Sequence, residues 1–465
     1  MQKKLLAGIM AAFLVTVAAA GCGNDGTEDV VPDSQVETDN VESSDGSGDG
    51  QTDGNEQQAV DEDKGDGEEL VLRDAVMQNL GCRVGAAVTL GEINDEQVWE
   101  LVTTYFNALT IGNELKPDAM FGYSLASCPG TEEAELNGET ILVPKMDYSR
   151  AEAILDKVLE WNQENPDQQI KMRGHVLVWH AQTQEWFFHV DYDKNKDYVD
   201  KETMDKRLEW YIRTMLTHFT GEDSKYKGMF YGWDVVNEAV SDGTGTYRTD
   251  NENPNEPLSE DRHGSNSSWW HVYQSNEYII NAFKYANKYA PADLELYYND
   301  YNECSFKKQM GIIELLKAVK EQEGAPGEGT RIDAMGMQGH YSMDGPSWGD
   351  IVTAIRRYCA VVGNVQITEF DMAASAGYDG SEAAKAEEYE NQAARYGTIY
   401  WMLKNTNQED DVNITGLTFW GTADHLSWLQ SRSDLGGGNS EGLPQCPLLF
   451  DENFEPKPAY YKFLD

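Results

Sequence analysis

The sequence predicts an α/β protein built as a (β/α)8 TIM barrel, and three observations carry that reading. Apolar, strand-forming runs recur eight times between about Glu69 and the C-terminus. Helical patterns lie between them, as parallel strands with crossover helices require. Neither a second linker nor a low-complexity break interrupts the alternation. A doubly wound open sheet is the competing arrangement, but no GxGxxG or Walker pattern follows any of the strands.

The chain opens on Lys3, Lys4 and an apolar run from Leu5 to Ala20, the pattern of an export signal over residues 1–21. That run is short and Ala-rich for a membrane span. It ends in Ala19-Ala20-Gly21-Cys22, which resembles a bacterial lipobox, with Ala19 at a place where Leu is usual. The expectation is cleavage before Cys22, lipidation of that cysteine and a cell-surface lipoprotein touching the membrane only through that anchor. Ordinary cleavage with full secretion is the alternative. Residues 22–69 read as a disordered acidic tether. From 23 to 69 there are 17 Asp or Glu, one Lys and no aromatic residue, too little apolar surface for a core. Residues 70–465 are then left for the barrel.

Within the barrel, strands are expected at Arg83–Thr89, Ala108–Asn113, Lys171–Trp179 and Tyr231–Asn237, then at Leu294–Asn299, Arg331–Met337, Asn364–Thr368 and Thr415–Phe419. One expected helix is Ser149–Asn162, opened by a Ser cap and carrying Ala151, Ile154, Leu155 and Val158 on one face. A second, Ser305–Gln322, places Met310, Ile313, Leu315, Leu316 and Val319 inward. The third is Ser381–Lys404.

The net charge of −45 excludes a nucleic-acid partner, because such a surface repels phosphate. Acidity of this size suits a soluble protein with a neutral partner. The 12 Trp and 24 Tyr supply faces that stack on sugar rings, although most belong in the core. The six cysteines form no CxxC pair, so a zinc site is not indicated. With Cys22 set aside five remain, and a disulfide framework is not indicated either.

Barrel enzymes carry their chemistry at the C-terminal ends of the strands. Two of these ends close on a glutamate, Trp233-Asp-Val-Val-Asn237-Glu238 and Gln366-Ile-Thr-Glu369. A carboxylate at the end of a buried strand is costly unless it has work to do. Two of them facing one pocket are what glycosidic cleavage requires. The other ends are polar or aromatic as well: Asn113 to Lys116; His175, Trp179 and His180 with Trp186 six residues on; Asn299 to Asn302; Gln338 and His340; Asp371; Trp420 with Asp424 and Trp428.

The ordered set RGHxLVWH, WDVVNE, YYNDYN, GMQGH, ITEFD and FWGxxDxxSW resembles glycoside hydrolase family 10, the barrel-fold endo-β-1,4-xylanases, over roughly residues 75–465. The resemblance implies hydrolysis of internal β-1,4-xylosidic bonds by double displacement, with xylan and xylo-oligosaccharides as partners. It implies a monomer needing no cofactor and no metal. Glu238 corresponds to the acid/base and Glu369 to the nucleophile, supported by His340 and Asp371. Asn237 would hold the 2-hydroxyl of the sugar being cleaved. Asn113, Lys116, His180 and Gln338 match glycone-side binding residues, walled by Trp420 and Trp428. Tyr301 matches a leaving-group platform, and Trp186 and His340 complete the candidate binding set. His175, five residues before His180, reads as structural.

Two departures from the family pattern stand out. Gly112 occupies a place where the family usually has Glu, and the loop from Asp118 to Asp147, carrying Cys128, is long. The expectation is that this loop replaces the missing contact, or that the enzyme leans on its leaving-group side. A required φ > 0 at Gly112 is the other explanation. The rival functions are another retaining barrel β-glycanase, such as a cellulase or mixed-linkage glucanase, and a non-catalytic surface glycan-binding lipoprotein.

Overall fold

The computed structural model describes residues 70–258, 264–431 and 445–465. The expected signal, Cys22 and the tether at 22–69 lie outside the described residues.

Eight parallel strands close on themselves: β1 (Arg83–Val88), β2 (Ala108–Ile111), β3 (Lys171–Gly174), β4 (Phe230–Asn237), β5 (Glu295–Asp300), β6 (Ala334–Met337), β7 (Asn364–Ala373) and β8 (Ile414–Phe419). The ring is sealed by β1 against β8, with Arg83 opposite Gly416 and Ala86 opposite Phe419. Every expected strand is present, with some ends displaced. The third stops at Gly174, and the chain pairs again with β4 only at Val178–Trp179. The break falls where the His175 ring turns to the Asp234 carboxylate, 2.8 Å away. The seventh runs on to Ala373, because its last residues pair with a short strand at His340–Ser342.

The helices follow the expected faces with two corrections. The helix at Ser149–Glu164 buries Ala151, Ile154, Leu155 and Val158 as expected, but Ser149 lies inside it. Asp147 caps this end instead, its Oδ1 accepting from the Ser149 amide at 3.0 Å and hydroxyl at 2.6 Å. In Phe306–Lys320, Met310 is 40% exposed and Ile312 takes the inward place. Ser381 caps Glu382–Thr406 by accepting from the Ala384 amide.

The segment at 118–147 is not an irregular loop. It holds a β-hairpin, Thr131–Leu136 against Glu139–Pro144, turned at Asn137-Gly138. Both turn residues have positive φ, 52° and 85°, the geometry that Asn-Gly supplies in a two-residue hairpin turn. The tip is tied to the outer helices. Asn137 Nδ2 donates to Glu209, and Lys288 Nζ donates to both Asn137 Oδ1 and Glu209 Oε1.

Inside the barrel an ionic group crosses the lumen beneath the strand ends. Arg173 of β3 grips both carboxylate oxygens of Asp234 on β4, and its Nε donates to Gln366 Oε1 of β7 at 2.8 Å. Arg173 and Asp234 are both fully buried. Such a pair is tolerable only with its hydrogen bonds filled, since removing one partner leaves an uncompensated charge, a loss of about 3–5 kcal/mol. Gly174, next to Arg173, is needed for packing. A Cβ there would sit 2.0 Å from the Trp233 ring.

Candidate active site

The C-terminal strand ends enclose a cleft of about 560 Å³, within the usual range for a small-molecule site. Glu238, Glu369, Asn237 and Gln338 line it, with Asn113, Lys116 and His180 toward β1 and β2, and Tyr301 toward β5. His340, Trp420 and Trp428 close the remaining wall. Asp371 lies beneath His340 rather than in the cleft.

Glu369 is 4% exposed and held by two donors. His340 Nε2 reaches its Oε2 at 3.2 Å, and Asn299 Nδ2 donates to its Oε1 at 2.8 Å. Burial alone would raise its pKa. The His340 hydrogen bond, the charges of His175 and His340, and the Asn299 bond outweigh burial and hold it well below the usual carboxylate value. His340 shifts the opposite way, because Asp371 and Glu369 overcome the burial that would neutralise it. Its Nδ1 donates to Asp371 Oδ1 at 2.9 Å, and the Trp428 indole fixes the other oxygen at 2.7 Å. The result is an ionised carboxylate backed by an imidazolium, as a nucleophile requires.

Glu238 is set differently. Its Oε1 accepts from Gln338 Nε2 at 2.9 Å and Asn237 Nδ2 at 3.2 Å, and its Oε2 accepts from Trp179 Nε1 at 2.9 Å. All three donors are neutral. Its backbone has φ 54°, a left-handed conformation that costs a residue with a Cβ roughly 1–2 kcal/mol. Two bonds hold it there: the Glu238 amide to Asn299 O, and Arg248 Nε to Glu238 O, both at 2.9 Å. The Asn237 Oδ1 is fixed by Asn299 at 3.1 Å and Gln338 at 3.2 Å.

Tyr301 bonds Asp242 through its hydroxyl, and Lys308 Nζ lies 3.5 Å from its ring centroid. His180, on the facing wall, is held neutral, since burial and the positive Arg248 and Lys308 all lower its pKa. Lys116 donates to Asn113 at 3.2 Å and lies over the Trp179 ring. Among the described residues no group of three or more His, Cys, Asp or Glu is placed to hold a metal ion.

Three expectations require correction. Trp186 does not line the cleft; it is fully buried against Phe121 and Tyr192, with its indole bonded to Ser124 O. His175 is more than structural, because it lines the cleft and helps to ionise Glu369. The third concerns residues 118–147, none of which is among the residues lining this cleft. Gly112 lies outside the positive-φ region, which also removes the backbone explanation for glycine. The sequence reading gave no role to Trp179 or Asn299, although both stand at strand ends. It passed over Arg248 too, which sits in the long connection after β4 with no local signal.

A parallel barrel with an ionised and a neutrally bonded glutamate across one cleft defines the class of barrel glycoside hydrolases. The chain belongs to glycosyl hydrolase family 10, whose model matches residues 72–465. It is 32% identical over 384 residues to endo-1,4-β-xylanase Y of Acetivibrio thermocellus, covering 81% of this chain and 30% of that one. A putative endo-1,4-β-xylanase of Caldicellulosiruptor saccharolyticus is 34% identical over 303 residues, covering 63% of this chain and 84% of its own. The chain spans about a third of the length of several curated relatives. Among solved structures, the two-module Clostridium thermocellum endo-1,4-β-D-xylanase 10B with xylohexaose superposes with TM-score 0.66 at 29% identity. That match covers 86% of this chain and 68% of that one.

Proposed function

We propose that this chain is a retaining endo-β-1,4-xylanase. The observation that carries the reading is the unequal setting of its two cleft carboxylates. Glu369 is held ionised by His340, and Glu238 accepts from neutral donors. Glu238 gives its proton to the leaving oxygen while Glu369 attacks the anomeric carbon, forming a covalent glycosyl-enzyme. Glu238 then takes a proton from water, which releases the sugar. Asn237, fixed by Asn299 and Gln338, holds the 2-hydroxyl throughout. Related xylanases, some with structures bound to xylohexaose, xylotriose or xylotetraose, support xylan as the substrate.

The test is hydrolysis of xylan and of cellulose, with soluble products measured and their first-formed anomer read by NMR. Release of β-configured xylo-oligosaccharides from xylan is expected. Initial α-anomers, or cleavage of cellulose alone, would overturn the reading. We also propose export and anchoring through Cys22, for which the leader pattern is the support. Cys22→Ser should move the protein from the membrane fraction to the medium with activity unchanged; an unchanged distribution would refute the anchor.

A further inference from the structure

Three carboxylates line the cleft, Glu92, Glu238 and Glu369, and the reaction uses two. Glu92 belongs to the rim at the ends of β1 and β2, with Thr89, Gly112 and Asn113. Arg248, Tyr301 and Asn302 belong to the rim at β4 and β5. The proton donor Glu238 ends β4, so the leaving group lies toward the β4 and β5 rim. The retained sugars then run toward β1 and β2, where Glu92 stands.

The Glu92 carboxylate is fixed. Its Oε2 accepts from the Thr89 amide at 2.7 Å and the Thr89 hydroxyl at 2.8 Å, while Thr89 Oγ1 accepts from the Glu92 amide at 3.4 Å. This reciprocal pair is a capping box. Among the described residues no hydrogen bond reaches Oε1. The wall beside it is open, since a Cβ on Gly112 would meet only Val88 O at 3.6 Å and Thr89 Cγ2 at 3.9 Å. No side chain from 118–147 intrudes. A carboxylate oriented through one oxygen and accessible through the other suits a sugar hydroxyl, and an O–H···O⁻ bond is about twice as strong as a neutral one.

We propose that Glu92 determines glycone-side specificity by accepting a hydroxyl of the sugar next beyond the one being cleaved. This rests on the xylanase reading above. Capping alone is the competing role, and Glu92→Gln separates the two. Gln serves the capping box as Glu does, but it removes the charge. The readout is kcat/KM on 4-nitrophenyl β-xyloside, with one glycone sugar, and on the β-xylobioside, with two. Glu92→Gln should stay within about twofold of the parent on the first and fall about fivefold to tenfold on the second. Its Tm should be unchanged. Equal changes on both substrates, or none, would overturn the proposal. The double variant Glu92→Gln/Gly112→Glu, which returns a carboxylate to this wall, should recover the two-sugar rate. A folded double variant without recovery also counts against it. Failure of the parent chain to cleave either substrate or xylan would instead remove the xylanase reading.

Discussion

Glu369→Ala is expected to lower xylan turnover by roughly 10⁴-fold or more while leaving the barrel folded, since no covalent glycosyl-enzyme can form. The void left beside His340 should admit a small anion. With azide and an activated aryl xyloside, attack from the vacated side forms the C–N bond as the phenolate departs, giving an α-configured glycosyl azide. Wild-type-like xylan hydrolysis by the variant would refute the nucleophile assignment. A stability signature should accompany the loss. The pKa of Glu369 is depressed in the fold, so its ionised form adds stability above about pH 4.3, the value for a free glutamate. That contribution disappears as pH falls through the lowered folded value. Acid titration of unfolding should show this loss in the parent and not in the variant.

Glu238→Ala is expected to cost about 10²–10⁴-fold on xylan, the usual contribution of a positioned proton donor. On a dinitrophenyl xylobioside the loss in the glycosylation step should be far smaller, because that leaving group departs without a proton. The later hydrolysis step loses its base, so a burst of phenolate should precede a slow steady state. Equal losses on the two substrates, with no burst, would remove the acid/base role. The backbone is not a confounding factor. Residue 238 holds φ 54°, and Ala and Glu both carry a Cβ at that conformation.

The barrel and the chemical pair were legible because they rest on local signals. Strand runs leading into Asn237-Glu238 and Thr368-Glu369 put both carboxylates near the C-terminal side of the barrel, although β7 runs on past Glu369 to Ala373. The hairpin at 131–144 was also legible through Asn137-Gly138, but a reading that counted only crossover units treats it as loop. The donors that distinguish the two glutamates were not. Asn299 reaches Glu369 and Gln338 reaches Glu238 from two strands away around the barrel, and Trp179 returns after a strand break that propensity does not mark. Trp186 failed in the opposite sense, since motif proximity implied a cleft wall and packing against Phe121 buried it. Glu92 was not singled out in the sequence, and its capping role emerges only with the Thr89–Glu92 capping box. Only the cleft reveals its second oxygen.

The seal between β1 and β8 sets the order in which this molecule can become functional. Arg83 and Gly416 are partners, and the Asn407 side chain donates to Leu80 O across 327 residues of chain. Contacts of such separation bear a large closure entropy and form slowly. A nascent chain released before residue 414 would carry both cleft glutamates, Glu238 and Glu369, and no closed ring to aim them. The last strand also brings Trp420 and Trp428, and with Trp428 the bond that fixes Asp371 under His340. Under the proposed xylanase reading, a chain cut before residue 414 is expected to show no xylan hydrolysis, and residual activity in such a truncation would overturn this account.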